Sequence, residues 1–342
     1  MATNDAWLAS VREETLEPAL PICDPHHHLW PSRAGHYVQN RYLLGEMLED
    51  VGSGHNVVST VFIECGTMFK ADGPEHLRPL GETEFVNGIA AMSASGEFGP
   101  TRIAAGIVGT ANLRLADKAA ETLDQQIAHA GGRFRGIRMG ATWHPSPEVE
   151  NHRTNPPPDL YSNADFRNGF RHLAPRGLSF EAWCYHTQLD SLTRLARAFP
   201  DTTIVLDHFG GPIGVGPYAG KADEVFVDWK KAIGPLSQCP NVVAKLGGIN
   251  MVVNGFGWHE RPKPPSSEEL MRATRRYYEH TIEKFGVGRC MFESNFPVDK
   301  VTCGYNVLWN SFKRLTAGYS AAEKAALFHD TAARVYRLAP AA

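Results

Sequence analysis

The residues most able to do chemistry come early, in Asp24-Pro25-His26-His27-His28, directly after the apolar start of a strand. In an extended chain positions i and i+2 share a face, so His26 and His28 project together while His27 turns away as a bystander. Two imidazoles on one face are costly to bury unless they bind a metal, a substrate or each other through water. Arg138 and Lys245 also end apolar strands, where a buried cation needs an anionic partner. That partner is either a carboxylated or strongly polarised substrate, or one of Glu64, Glu181 and Glu293 at neighbouring strand ends. Trp143, His144, Trp258 and His259 stand in long loops, where they either wall a pocket for a ring-shaped substrate or pack the loops on themselves. Cys65 and Cys184 have no surrounding motif that would mark a nucleophile.

The elements that must position these groups are short. Eight β-branched runs bounded by turn residues cover 20–24, 57–63, 102–108, 134–139, 178–184, 202–207, 242–246 and 289–292. Helical stretches are predicted near 40–50, 82–94, 112–130, 164–174, 188–198, 222–236, 266–286, 305–315 and 321–336. In the 266–286 stretch Ser266 and Ser267 offer an N-cap, Glu268 and Glu269 complement the first-turn dipole, and Leu270, Ala273, Tyr277, Tyr278 and Ile282 repeat at helical spacing. Strands alternating with helices predict a parallel α/β fold. No GxGxxG follows an early strand to mark a dinucleotide crevice, so the expected architecture is a (β/α)8 TIM barrel rather than an open doubly wound sheet. Three long connections, 65–81, 140–161 and 247–265, follow strands 2, 4 and 7. Loops after strands build the face of a barrel where active sites sit.

The chain reads as one domain over 1–342, with an N-terminal extension at 1–19 and a C-terminal helix within 318–342. A formal charge of -3 gives no field suited to nucleic acid or an anionic membrane, so the expected partner is a small-molecule substrate, and a homo-oligomer is left open. No basic segment followed by an apolar run opens the chain, and no stretch approaches the roughly 20 apolar residues that span a bilayer. Six cysteines without CxxC spacing suit buried small hydrophobes. A cytoplasmic location is the expectation.

The pattern DxHxH (Asp24, His26, His28) at the first strand resembles the amidohydrolase superfamily. FRGIRM at strand four, YHTQL after strand five, LDHFGGP at strand six, AKLGG at strand seven and FESNFPVD at strand eight extend the likeness over residues 20 to 299, in its lactonase-like branch. The resemblance implies a central cluster of His26, His28 and His208. It implies substrate-binding roles for Arg138, with Arg135 nearby, and for Lys245, and a polar group after strand five at Tyr185 or His186. Asp207 beside His208 either orients an imidazole or caps the following turn. One departure stands out. The superfamily pattern carries an aspartate, the usual metal ligand and base, where this chain has Asn295. A neutral amide positions water but accepts no proton, so another group must act as base: His208, His186, one of the paired histidines, a metal-bound hydroxide or Asp299.

The reading that follows is a hydrolase opening a small carboxylated or polyhydroxylated lactone. Arg138 and Lys245 hold oxygens, Trp143 and Trp258 wall the pocket, and His26 and His28 polarise the acyl carbonyl. No cofactor is required on this reading. The alternative is one zinc or other divalent cation on His26, His28 and His208, which supply three nitrogens and leave a fourth position for water. The rival activity is a metal-dependent decarboxylase of an aromatic or unsaturated acid. A third reading is a ligand-binding barrel without catalysis.

Overall fold

A computed structural model describes residues 4–33 and 39–339. Eight strands, β1 (Pro21–His27), β2 (Asn56–Ile63), β3 (Arg102–Gly109), β4 (Phe134–Arg138), β5 (Ser179–Ala182), β6 (Ile204–Leu206), β7 (Val242–Leu246) and β8 (Cys290–Phe292), lie side by side in chain order. Each pairs in parallel with the next. His27 bridges Phe296 just beyond β8, and the His28 amide donates to the Phe296 carbonyl at 2.8 Å, so the sheet nearly closes. A short helix α1 (Asp5–Leu8) precedes the ring. The crossovers are α2 (Leu44–Val51), α3 (Leu80–Ala94), α4 (Ala119–His129), α5 (Ala164–Phe170), α6 (Leu189–Ala198), α7 (Ala222–Ser237) and α8 (Ser267–Phe285), and α9 (Tyr305–Leu315) follows β8. The expected (β/α)8 barrel is therefore the fold. Its long loops after strands 2, 4 and 7 contain only short 3-10 turns.

Strand ends differ from the sequence reading for local reasons. β1 runs three residues further, to His27, because Pro25 sits in a bulge: three steps from Asp24 to His27 match two from Thr60 to Phe62 on β2. A residue without an N–H is tolerated there. β5 and β6 stop short, and the residues beyond them, Trp183, Cys184 and Asp207, leave the ladder at the mouth. In α6, Leu189, Leu192 and Leu195 turn one face inward, each leucine worth about 1.5–3 kcal/mol of burial. Ser266 caps α8 as expected, accepting from the Glu269 amide. The last helix is broken into α10 (Ala321–Ala325), a π-helical stretch over Ala326–Asp330 and α11 (Thr331–Val335). Residues 340–342 of the expected C-terminal helix lie outside the described residues. Among the described residues, no helix is long and apolar enough to cross a membrane.

The barrel interior is filled by Cys23, Val61, Ile63, Val108, Val205 and Met291, and is closed from below by Val335 and Tyr336. The Tyr336 hydroxyl reaches up to Glu181 Oε1 at 2.8 Å. His27, expected as a bystander, is fully buried against Phe62, with Nε2 2.9 Å from Thr60 Oγ1. Burial pushes its pKa down from the ordinary 6.5 to about 3. A basic group whose pKa falls on folding stabilises the fold above its unfolded pKa, and that contribution is lost as pH falls from 6.5 towards 3. His27→Gln is accordingly expected to flatten the acid limb of a melting-temperature profile in this window. An unchanged slope would count against the assignment.

Candidate active site

His26, at the bulge near the end of β1, is fully buried, and both ring nitrogens face cations. Arg138 Nη1 lies 3.3 Å from Nε2, and Lys245 Nζ lies 3.2 Å from Nδ1. Burial, then Lys245, His208, His28 and Arg138, hold its pKa well below the ordinary value, so the ring is neutral. His28 stacks on Trp30, and its Nδ1 lies 2.8 Å from the Ile63 carbonyl. A carbonyl only accepts, so Nδ1 carries the proton and Nε2 keeps a lone pair. The pair therefore shares a face as the spacing predicts. Neither ring, however, is a ready donor to a substrate carbonyl, and the expected polarising role passes to other groups.

Of the two kinds of partner the sequence left open for these cations, protein carboxylates meet both. Arg138 donates through Nε to Glu64 Oε1 at 3.0 Å and through Nη2 to the Glu64 carbonyl at 2.6 Å, and its Nη1 lies 3.5 Å from Asp207 Oδ2. Lys245 Nζ lies 2.7 Å from Glu181 Oε2 and 3.3 Å from Asp207 Oδ1. Burial opposes its charge, but Asp207, Glu181 and Glu293 outweigh burial and raise its pKa. Burial likewise opposes ionisation of Asp207, yet Lys245, His208 and Arg138 bring it down to about 2. A buried ammonium and guanidinium thus stand among buried carboxylates beneath the mouth.

His208 begins the turn after β6 with φ +52, and its Nδ1 lies 2.7 Å from Glu293 Oε1. A carboxylate oxygen only accepts, so Nδ1 carries the proton, which leaves Nε2 as the basic nitrogen. Trp183 packs edge-on against the ring at 4.8 Å. The sequence reading named Glu293 only as an ion-pair partner and missed this role. Its signal was available, since Glu293 directly follows the apolar strand β8, much as Arg138 ends β4 and Lys245 stands one residue before the end of β7. Two glycines make the arrangement possible. A Cβ on Gly247 would meet Glu293 Cγ at 2.4 Å, and one on Gly248 would meet His208 Nδ1 at 2.0 Å. AKLGG is the clearance for the Glu293–His208 pair.

Asn295 sits at φ +55, a conformation Asn tolerates, and its amide nitrogen donates to Asp299 Oδ1 at 2.9 Å. Its polar end is thus tied to Asp299 rather than to an imidazole. Burial pushes Asp299 up to about 7. Asp24 is a latch: Oδ1 accepts from the Ser294 amide and Oδ2 from the Tyr305 hydroxyl, both at 2.9 Å, which ties β1 to the loop after β8.

Several other candidates lie elsewhere. His186 Nδ1 accepts from the Ile213 amide at 3.3 Å and its ring meets Tyr218, a loop-bracing role away from the histidine cluster. Arg135 lies at the opposite end of β4, bonded to the carbonyls of Gly132 and Phe134, far from the mouth that Arg138 serves. Trp258 is buried, stacked on Phe256 and covered by Arg261, and Trp143 is half-buried, its amide donating to Gln188. Trp258 follows the loop-packing reading. Tyr185 does line a cavity, with its hydroxyl donating to the Glu150 carbonyl.

That cavity, about 360 Å³, opens at the mouth beside Trp183 and Tyr185 and is edged by Arg33, His152 and Arg153. Arg153, which the sequence reading did not single out, donates to Glu64 from the cavity side and retains 35 % side-chain exposure. An outer groove of about 860 Å³ continues from it past Glu150, Val252, Val253 and Val301. A cation-edged pocket with an aromatic wall suits a small anionic ring.

Among the described residues, His26, Asp207 and His208 offer ligand atoms within 4.8 Å of one another, a donor set chemically suited to zinc. Asp207 stands where the sequence reading placed His28. The buried Oδ1 of Asp207 has Lys245 Nζ at 3.3 Å, and the buried Oε2 of Glu293 has His26 Nδ1 at 2.7 Å. The donors fit a divalent ion. The surrounding charge does not, because Lys245 and Arg138 already face His26 and Asp207.

Residues 23–338 match the family model described as amidohydrolase. The chain is 34% identical over 93% of its length to an uncharacterized protein, y4mH, of Sinorhizobium fredii, 99% of which is covered. It is 24% identical to an L-fucono-1,5-lactonase of Burkholderia multivorans, over 92% of this chain and 95% of that one. An amidohydrolase structure from Burkholderia multivorans with bound zinc superposes with a TM-score of 0.70 at 23% identity, covering 93% and 99% of the two chains. The metal-independent expectation therefore draws no support from these relatives, one of which holds the ion named as the alternative. With its histidine motif, its barrel and a match across nearly its whole length, the chain belongs to the amidohydrolase family.

Proposed function

We propose that the protein hydrolyses a small carboxylated or polyhydroxylated lactone, with His208 as general base and Glu293 as the carboxylate that orients it. The observation that carries this reading is the 2.7 Å contact between His208 Nδ1 and Glu293 Oε1, two groups buried side by side under the mouth. With Nδ1–H held by the carboxylate, Nε2 takes a proton from water as the oxygen attacks the acyl carbonyl. The ring C–O bond then breaks, and the proton on Nε2 passes to the leaving alkoxide, which gives a hydroxy acid. Negative charge developing on the carbonyl oxygen is met by the cationic side of the cavity. Arg153, with its partial exposure, is suited to hold a substrate carboxylate. A relative named as an L-fucono-1,5-lactonase supports the lactone class.

The test is a panel of sugar-acid lactones and carboxylated pyrone-type lactones, followed by pH-stat and by loss of ring absorbance. The parent opens at least one class, and His208→Gln loses on the order of a thousandfold or more in kcat. Arg153→Ala raises KM for carboxylated members more than for neutral ones. Carbon dioxide release from aromatic acids without any ring opening would transfer the assignment to the decarboxylase reading.

A further inference from the structure

The two groups that crowd the zinc-suited donors belong to the chain itself, and one occupies the place an ion would take. Lys245 Nζ stands 3.2 Å from His26 Nδ1, 3.3 Å from Asp207 Oδ1 and 2.7 Å from Glu181 Oε2. Two of the three candidate ligands therefore already converge on a positive charge. The lysine is fully buried, with the Tyr336 ring 5.6 Å beneath it and the Tyr336 hydroxyl fixing the other oxygen of Glu181. The stem rises from β7 in the packed barrel interior, which leaves the ammonium little freedom to withdraw. On the opposite edge of His26, Arg138 Nη1 closes off Nε2 at 3.3 Å, and Glu64 holds that guanidinium in place. Zinc binds imidazole nitrogen at about 2.0–2.1 Å, so an ion on His26 and Asp207 would have to displace Lys245 or Arg138 from the ring nitrogens, one of which Glu293 also engages at 2.7 Å, and would sit against two like charges.

We propose that the Lys245 ammonium is the resident cation of this site and that it and a divalent metal are mutually exclusive occupants of the seat between His26 and Asp207. The inference concerns metal binding alone and stands independently of the lactone reading. It makes the metal preference a property of position 245: a neutral side chain there uncovers a latent zinc site of His26, Asp207 and His208.

Zinc chloride alone is the probe, with no substrate present. Chelator-treated protein is titrated calorimetrically, its zinc content is measured after dialysis, and its melting temperature is followed with and without zinc. The parent retains no stoichiometric zinc and its melting temperature does not respond. Lys245→Met, which keeps the length of the stem and removes the charge, gains on the order of a hundredfold or more in zinc affinity at one ion per chain. Adding His26→Ala to that variant abolishes the gain, which ties the ion to this seat. Lys245→Met leaves Glu181 without its partner, so Lys245→Met/Glu181→Gln, which neutralises both, replaces it if the single variant does not melt cooperatively. One tightly held zinc per parent chain overturns the proposal without recourse to any variant. So does a folded Lys245 variant that binds zinc no better than the parent.

Discussion

Glu293→Gln lowers kcat by about three orders of magnitude, the scale on which a positioned base and its orienting carboxylate contribute, while KM changes by no more than a few-fold. The substrate for the measurement is whichever lactone the parent opens fastest. The substitution keeps shape and volume and changes one property. An amide beside His208 Nδ1 presents either an oxygen or an NH₂, and it no longer carries the charge that favours the imidazolium formed when water loses its proton. Glu293 Oε2 also lies 2.7 Å from His26 Nδ1, and Glu293 helps to keep Lys245 protonated, so the charge lost is shared by three neighbours. Loss of rate with cooperative melting and preserved KM identifies the carboxylate as part of the proton-accepting unit. A variant that retains kcat within about tenfold would remove Glu293 from the mechanism and turn attention to Asp299, whose carboxyl burial pushes up to about 7.

Gly248→Ala has the second large effect, and it acts through geometry alone. The added Cβ would stand 2.0 Å from His208 Nδ1 and 2.5 Å from its Cγ, inside the distance any carbon tolerates. The ring cannot swing clear, since Glu293 holds Nδ1 and Trp183 packs against its edge. Gly248 also lies at φ +65, where an alanine pays about 1–3 kcal/mol of backbone strain before any clash. The expected result is a loss of at least about 3 kcal/mol in denaturant unfolding, with kcat down by about a hundredfold or more in whatever fraction folds. The same change at Gly234, where an added Cβ meets nothing within 4 Å inside α7, serves as the control and should be nearly silent. Equal behaviour of the two variants would show that His208 is not held as described.

The parts legible in the sequence are those set by neighbours a few positions apart. β7 was read to the residue as Val242–Leu246, because a buried strand shows itself in its own apolar run and in the turn residues that flank it. α8 was legible from its Ser266 cap and its leucine and tyrosine spacing for the same reason. The shared face of His26 and His28 follows from the period of an extended chain, although the Pro25 bulge that carries β1 on to them does not.

The sequence by itself determined the alternation that makes a barrel, the loops that crown it and the types of residue available at its mouth. Only the tertiary structure decided who partners whom. Arg138 meets Glu64 across 74 positions, Lys245 meets Glu181 across 64, and His208 meets Glu293 across 85. No local pattern carries such distances, because they arise when eight strands close around one axis and bring every strand end to a common mouth. For Arg138 and Lys245, whose partner the sequence left open between a substrate and a neighbouring glutamate, that closure supplied Glu64 and Glu181. It replaced His28 by Asp207 in the metal-suited trio, and it set Glu293, rather than a carboxylate at position 295 where the motif looks for one, against His208 and His26. Burial is the physical reason: a charge or imidazole removed from water must find its complement within about 3 Å, and the fold chooses which one is there.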